Sequence, residues 1–272
     1  MTSQSNDKPN KSVINTAFNI FTKTFTIAGL EVQKIIHDPS SILTRSFQPI
    51  IWLLLFGQVM AQAHFIEVKG MTYLEYLTPG ILAQSILFVA IFYGIAIIWE
   101  RDLGIIQKLL VTPTPRIALV AGKALAAGVL ALSQVIVIYL LAALIGVKLS
   151  YSPTSILGIL IFTFLGAGIF STFSLIIACI VKTRERFMGI GQVLTMPLFF
   201  ASNAIYPISI MPPWIKVFAH FNPLTYEVDA FRVFMLSTPS TLYGVYVDFL
   251  VLAATLLGLL LIGAKIYPRI AR

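Results

Sequence analysis

Apolar residues along this chain run in long unbroken stretches, and polar positions collect between them. A helix needs about 20 mostly apolar residues to cross a bilayer. Six stretches meet that length: Ser46 to Ile66, Pro79 to Trp99, Ile117 to Val147 with Lys123 as its only charge, one within Leu149 to Val181, one within Phe187 to Tyr206, and Tyr243 to Tyr267. Strand-like alternation is absent and no period of about 20 to 50 residues repeats, which disfavours membrane barrels and solenoids. The predicted fold is all-α and integral to a membrane, with six transmembrane helices.

Three further segments show patterns that do not span. Residues 13–38 carry one apolar stripe at Ile14, Phe18, Phe21, Phe25, Ala28, Val32 and Ile35, at alternating spacings of four and three. This is one face of a helix. With Asn15, Asn19, Thr22, Lys23 and Thr26 off the stripe, it predicts an amphipathic helix in the headgroup layer, phenylalanines down. Pro39 ends it near Asp38; a coiled-coil seam with a partner is the alternative. Residues 1–12 read as a disordered tail and 39–272 as the transmembrane domain.

In the loop over 100–116, Leu103, Ile106, Leu109 and Leu110 fall on one side of a short helix. Asp102 lies near its start and Lys108 near its end, the order a helix dipole favours. The run Thr112, Pro113, Thr114, Pro115 stops it. Such a helix beside two spans can pass a push from a partner into the bilayer; alternatively it merely lies on lipid. The segment over 207–242 is apolar but broken by Pro207, Pro212, Pro213, Pro223 and Pro239. It predicts two short segments that dip into the outer leaflet and turn at Asn222-Pro223, with a flat interfacial loop as the competing reading.

Composition agrees with lipid as the main surroundings. Of the 272 residues 58% are apolar and 11% charged, against roughly 25% charged in soluble domains. The net charge of +8 is explained by orientation rather than by nucleic acid. Fourteen of the 19 Lys and Arg lie in the N-terminal arm, the 100–116 loop, the Lys182–Arg186 loop and the C-terminus. Lys69, Lys148, Lys216 and Arg232 occupy the other side. By the positive-inside rule both termini are cytoplasmic, as an even number of spans requires. No cleavable signal peptide is visible in the polar first residues. The single Cys179 excludes a disulfide framework within the chain.

Catalytic and nucleotide motifs are missing. The pair Gly122-Lys123 fails as a phosphate loop, because Ile117 stands where Gly is needed and Ala124 where Ser or Thr is needed. His37, His64 and His220 are scattered, without zinc spacing, and no Gly-x-Ser-x-Gly elbow occurs. Lys123 and Asp248 are the charges inside spans, each close enough to an edge to reach interfacial water. No carboxylate or histidine is placed near midplane, which weakens proton-coupled transport.

Several stretches together resemble the membrane subunits of ABC-2 type exporters, permeases for drugs, lipids, lipo-oligosaccharides and polysaccharides. They are His37-Asp38-Pro39, Gln48-Pro49 with Leu53-Leu54-Leu55-Phe56-Gly57, and Leu77-Thr78-Pro79-Gly80. They continue with Glu100-Arg101-Asp102-Leu103-Gly104 and Leu109-Leu110-Val111-Thr112-Pro113, then Tyr206-Pro207-Ile208 and Pro212-Pro213-Trp214. The last is Asn222-Pro223-Leu224-Thr225-Tyr226, running on to Asp229, Ala230 and Arg232.

The resemblance implies an N-terminal interfacial helix. It implies a coupling helix that docks on a separate ATPase through Glu100, Arg101, Asp102, Gly104, Leu109, Leu110, Thr112, Pro113 and Arg116. Outer re-entrant helices at Pro207, Pro213, Asn222 and Pro223 would close the exit. Six spans are few to enclose a bulky cargo, so a second permease copy, most simply as a homodimer, and two ATPase copies are expected, with ATP and Mg on the ATPase and no cofactor or metal in this chain. Gln84, Phe88 and Phe92, with Met196, Phe199, Phe200 and Asn203, would face the pathway. A bacterial inner membrane or a plastid membrane suits the family. An ATP-independent channel or membrane anchor is the reading from another class, and a membrane-embedded enzyme comes third.

Overall fold

The computed structural model describes residues 20–33, 39–63, 70–111, 114–181 and 183–271. The tail over 1–12, both ends of the amphipathic segment, His37 and His64 lie outside the described residues. Helix α1 covers 20–33. Helix α2 (Pro39–Ile51) passes through a π-helical turn (Trp52–Gly57) into α3 (Gln58–Ala63). Next come α4 (Tyr73–Asp102), α5 (Ile105–Leu110), α6 (Arg116–Leu144), α7 (Pro153–Ile180) and α8 (Arg184–Phe200). A 3-10 turn (Ile208–Ile210) precedes α9 (Pro213–Phe221), α10 (Pro223–Met235) and α11 (Val245–Ile266), which ends in a 3-10 turn (Tyr267–Ala271). Regular structure among the described residues is thus helical, apart from an isolated bridge between Leu149 and Leu236.

Among the described residues, four helices are long and apolar enough to cross a membrane: α4, α6, α7 and α11. The first predicted span is interrupted by the π-helical turn, and α8 has 17 residues with Pro197 inside it. Local chemistry sets several starts. Thr72 and Glu75 form a reciprocal capping box at α4. Ser152, followed by Pro153, opens α7, and Thr183 opens α8.

Helix α7 touches α4, α6, α10 and α11, and is the hub. In lipid the tails are as apolar as leucine, so helices associate through close packing, which small residues permit. Gly128 of α6 receives the ring of Phe164, and Gly80 of α4 abuts the backbone of Ala204; a methyl group at either position would overlap its neighbour. On α1, Phe21 and Phe25 are exposed with ring centroids 4.6 Å apart, while Thr24, Ala28 and Glu31 face the protein.

Candidate functional site

At the end of the molecule that carries the 100–116 loop, α4 extends past its apolar stretch to Asp102. Gly104, at φ 71°, then takes the left-handed conformation that starts α5. Asp102 therefore closes α4 rather than opening α5, which corrects the sequence expectation. Because the glycine break follows Asp102, the apolar face divides as well: Ile106 is buried, Leu103 is exposed, and Leu109 and Leu110 form the last turn of α5. Arg116 is exposed at the start of α6, and Thr112 and Pro113 lie outside the described residues.

The Asp102 carboxylate bridges two guanidinium groups, Arg101 and Arg184, at 3.0 Å each. Arg101 also donates to the carbonyl of Val181 at 3.2 Å, and the Arg184 guanidinium lies 3.4 Å from the centroid of the Trp99 ring. Arg101 and Asp102 thus fasten their loop to the connection between α7 and α8. Sequence reading gave both residues to a docking face and missed this bracket.

Beneath it lies a buried ionic cluster. Lys123 Nζ donates to Glu100 Oε2 at 2.6 Å and to Glu31 Oε1 at 2.8 Å, while Tyr93 Oη donates to Glu31 Oε2 at 2.8 Å. The three charged side chains are nearly inaccessible, at 3 to 8% exposure. The expectation that Lys123 reaches interfacial water is overturned, because α1 covers it and supplies a carboxylate. Two acids flank the lysine, one carried by the segment predicted to lie in the headgroup layer. The available signal was Glu31 itself, an acid one turn beyond Ala28 on the protein-facing side of α1.

At the opposite end, Asn222 caps α10. Its Oδ1 accepts from Leu224 N at 3.0 Å, and its Nδ2 donates to the carbonyls of Leu198 at 2.6 Å and Ala201 at 3.0 Å. Pro213 and Pro223 stand in the first turns of α9 and α10, where a fixed φ and a missing N–H cost nothing, and Pro207 leads into the 3-10 turn. Helix α9 exposes Trp214, Val217, Phe218 and Phe221, whereas α10 is buried against α7, α11 and α4.

Asp229 of α10 holds the following linker by accepting from Thr241 Oγ1 at 2.9 Å, Leu242 N at 2.8 Å and Tyr243 N at 3.1 Å. Arg232 lies 3.8 Å from the Tyr76 ring centroid and donates to the Asn203 carbonyl. With the Asn203 amide oriented to satisfy both its groups, its oxygen accepts from Arg232 Nη1 at 3.0 Å and its nitrogen donates to the Thr225 carbonyl at 3.2 Å. Tyr243 Oη sits 2.6 Å from His220 Nδ1. Burial, with Tyr226, Asp229 and Asp248 adding to it, pushes this phenol up to about 12, so it stays protonated at neutral pH. Asp248 does not reach an exposed edge as expected. It is fully buried, because the linker and α10 cover the start of α11, and its carboxyl oxygens have no hydrogen-bond partner among the described residues.

The seven residues assigned to a pathway divide. Phe88 and Phe92 are half-buried and stack at 6.0 Å, while Met196 and Phe200 are exposed at 39% and 40%. Gln84, Phe199 and Asn203 are buried within the chain, Asn203 in the arginine network. Trp52, in the π-helical turn, meets Phe199 at 5.7 Å and Phe200 at 6.4 Å, which sets that turn against the last turn of α8. An apolar cleft of about 280 Å³ opens between α6 and α7 beside Tyr139 and Tyr151, and none of the seven lines it.

Comparison with known proteins follows the same lines. Residues 22–236 match the family model of the ABC-2 type transporter. The chain is 29% identical over 236 residues to the transport permease ycf38 of Cyanophora paradoxa, covering 86% of this chain and 81% of that one. It is 24% identical over 220 residues to the inner membrane transport permease YadH of Escherichia coli K12, covering 74% and 79%. It is also 24% identical over 202 residues to nodulation protein J of Rhizobium leguminosarum bv. viciae, covering 74% and 76%. A match over most of the length, carried by an all-helical membrane architecture, establishes that the chain belongs to the ABC-2 type transporter family.

Proposed function

We propose that the chain is the membrane permease subunit of an ATP-driven exporter that moves an amphipathic drug, lipid or glycan-lipid out of the cytoplasm or inner leaflet. In this reading α2 to α3 and α8 complete six crossings, both termini are cytoplasmic, and the 207–242 segment is a re-entrant gate at the outer surface of a bacterial inner membrane. Two permease copies, most simply a homodimer, sit above two ATPase subunits that supply the ATP and Mg site.

The observation that carries the reading is the bracket at the end of α4. Arg101, Asp102 and Arg184 join two loops on one side of the molecule, and Lys123 joins both to α1 through Glu100 and Glu31. A short helix, α5, is seated on this unit through Ile106, which is fully buried. A push on α5 would meet one connected body rather than a loose loop, which is what transmission from a motor subunit requires.

The test is co-expression with the ATPase encoded beside this chain, extraction in mild detergent, and measurement of subunit mass and ATP hydrolysis with and without Arg101→Ala. A two-plus-two complex whose hydrolysis responds to the substitution supports the exporter. A chain that purifies alone, with no ATPase partner, moves the weight to an ATP-independent channel or anchor.

A further inference from the structure

Helices α10 and α7 run antiparallel at close quarters. Phe234 presses on Gly158 and, two turns earlier, Glu227 presses on Gly166; a methyl group at either glycine would overlap the facing side chain. Glu227 is fully buried, and neither carboxyl oxygen has a hydrogen-bond partner among the described residues. On the same face of α7, one turn from Gly166, the Thr163 hydroxyl is also buried and unpartnered.

The charged and titratable groups around α10 are committed elsewhere or are themselves buried acids. On α10, Arg232 is turned to Tyr76 and Asn203, and Asp229 to the 241–243 linker. Helix α4 brings Tyr73, bonded to the Ile205 carbonyl, Glu75, which caps its own helix, and Tyr76 beneath Arg232. Helix α11 brings Asp248, a second buried carboxyl without a partner, and α7 brings only hydroxyls to this level.

A carboxylate stripped of water and given no donor is far more costly than a neutral acid in the same place. The packing seen here therefore accommodates the acid form of Glu227, and the ionised form fits only when α10 parts from α7 and water enters. We propose that Glu227 is a proton-binding site whose occupancy locks α10 onto α7: the carboxyl O–H is kept while the helices touch, and the proton passes to water when they separate. The inference goes beyond the exporter reading and needs neither an ATPase nor a cargo.

The experiment uses the full chain alone in phosphatidylcholine vesicles, so failure of ATP coupling leaves it untouched. Infrared spectra at neutral pH are expected to contain a protonated-acid carbonyl band that Glu227→Gln removes. Hydrogen exchange of residues 223–236, corrected for its intrinsic pH dependence, should accelerate at the alkaline pH where that band disappears, and should stay slow in Glu227→Gln. Absence of the band, or acceleration of equal size in the variant, overturns the proposal. If the variant does not fold, carbodiimide labelling of the unmutated chain decides instead. An adduct on Glu227 at neutral pH that is lost at alkaline pH supports the site, and an unlabelled Glu227 beside a labelled Asp248 overturns it.

Discussion

Lys123 Nζ lies 2.6 Å from Glu100 Oε2, inside the protein, at the residue that immediately precedes the Arg101 bracket. An ion pair out of water is seldom a large net source of stability, but losing one partner leaves an uncompensated buried charge. The importance of this contact therefore lies in what breaks when it is removed.

Lys123→Met is expected to destabilise the fold by about 3–5 kcal/mol, since it strands two carboxylates. The measurement is thermal loss of the monodisperse peak in detergent. Exchanging the charges in Lys123→Glu with Glu100→Lys should recover part of the loss. A melting profile unchanged by Lys123→Met would refute the role assigned to the cluster.

Asp102→Ala should behave differently, because Asp102 is 39% exposed. Exposed pairs contribute about 1 kcal/mol or less, so the melting profile should barely move. In the proposed complex with an ATPase, coupled ATP hydrolysis should nevertheless fall several-fold, because the loop loses its tie to Arg184. Equal losses of stability and coupling would argue against a positioning role.

Asp229→Ala removes the acceptor for Thr241, Leu242 and Tyr243 together. Thr241 and Leu242 are exposed and Tyr243 is half-buried, so the freed donors can turn to water and each lost bond costs about 1 kcal/mol. Limited proteolysis should cut faster between 237 and 244, with Asp229→Asn intermediate because its amide keeps one oxygen. Cleavage at the unmutated rate would show that the linker is held by other contacts.

Gly166→Ala should destabilise the α10 and α7 contact by about 1–3 kcal/mol through overpacking against Glu227. Adding Glu227→Ala should return most of that loss, as contacting sites couple in a double-mutant cycle. Simple additivity of the two effects would place the strain elsewhere.

Four long helices were readable because twenty-odd apolar residues have one economical arrangement in lipid, and α9 and α10 because prolines cannot continue a helix. The contact between Glu31 and Lys123 was not readable. The partners are 92 residues apart, and a lone acid beside an apolar stripe carries no mark of the lysine it will meet. Asp102 was misplaced by one helix because its carboxylate favours a helix start by charge, while Gly104 puts the break after it. Glu227 escaped notice because nothing in the run from Leu224 to Phe231 distinguishes a buried acid from a solvated one.

Helix α8 begins at Arg184, within the bracket, and its last turns end against Asn222, which also caps α10. Seventeen residues at 1.5 Å each make a rod of about 25 Å. Polar bonds hold it at both ends, so one element spans the distance from the Arg101 bracket to the cap of α10. In the exporter reading, a tilt imposed at one end would reach the other through this single helix.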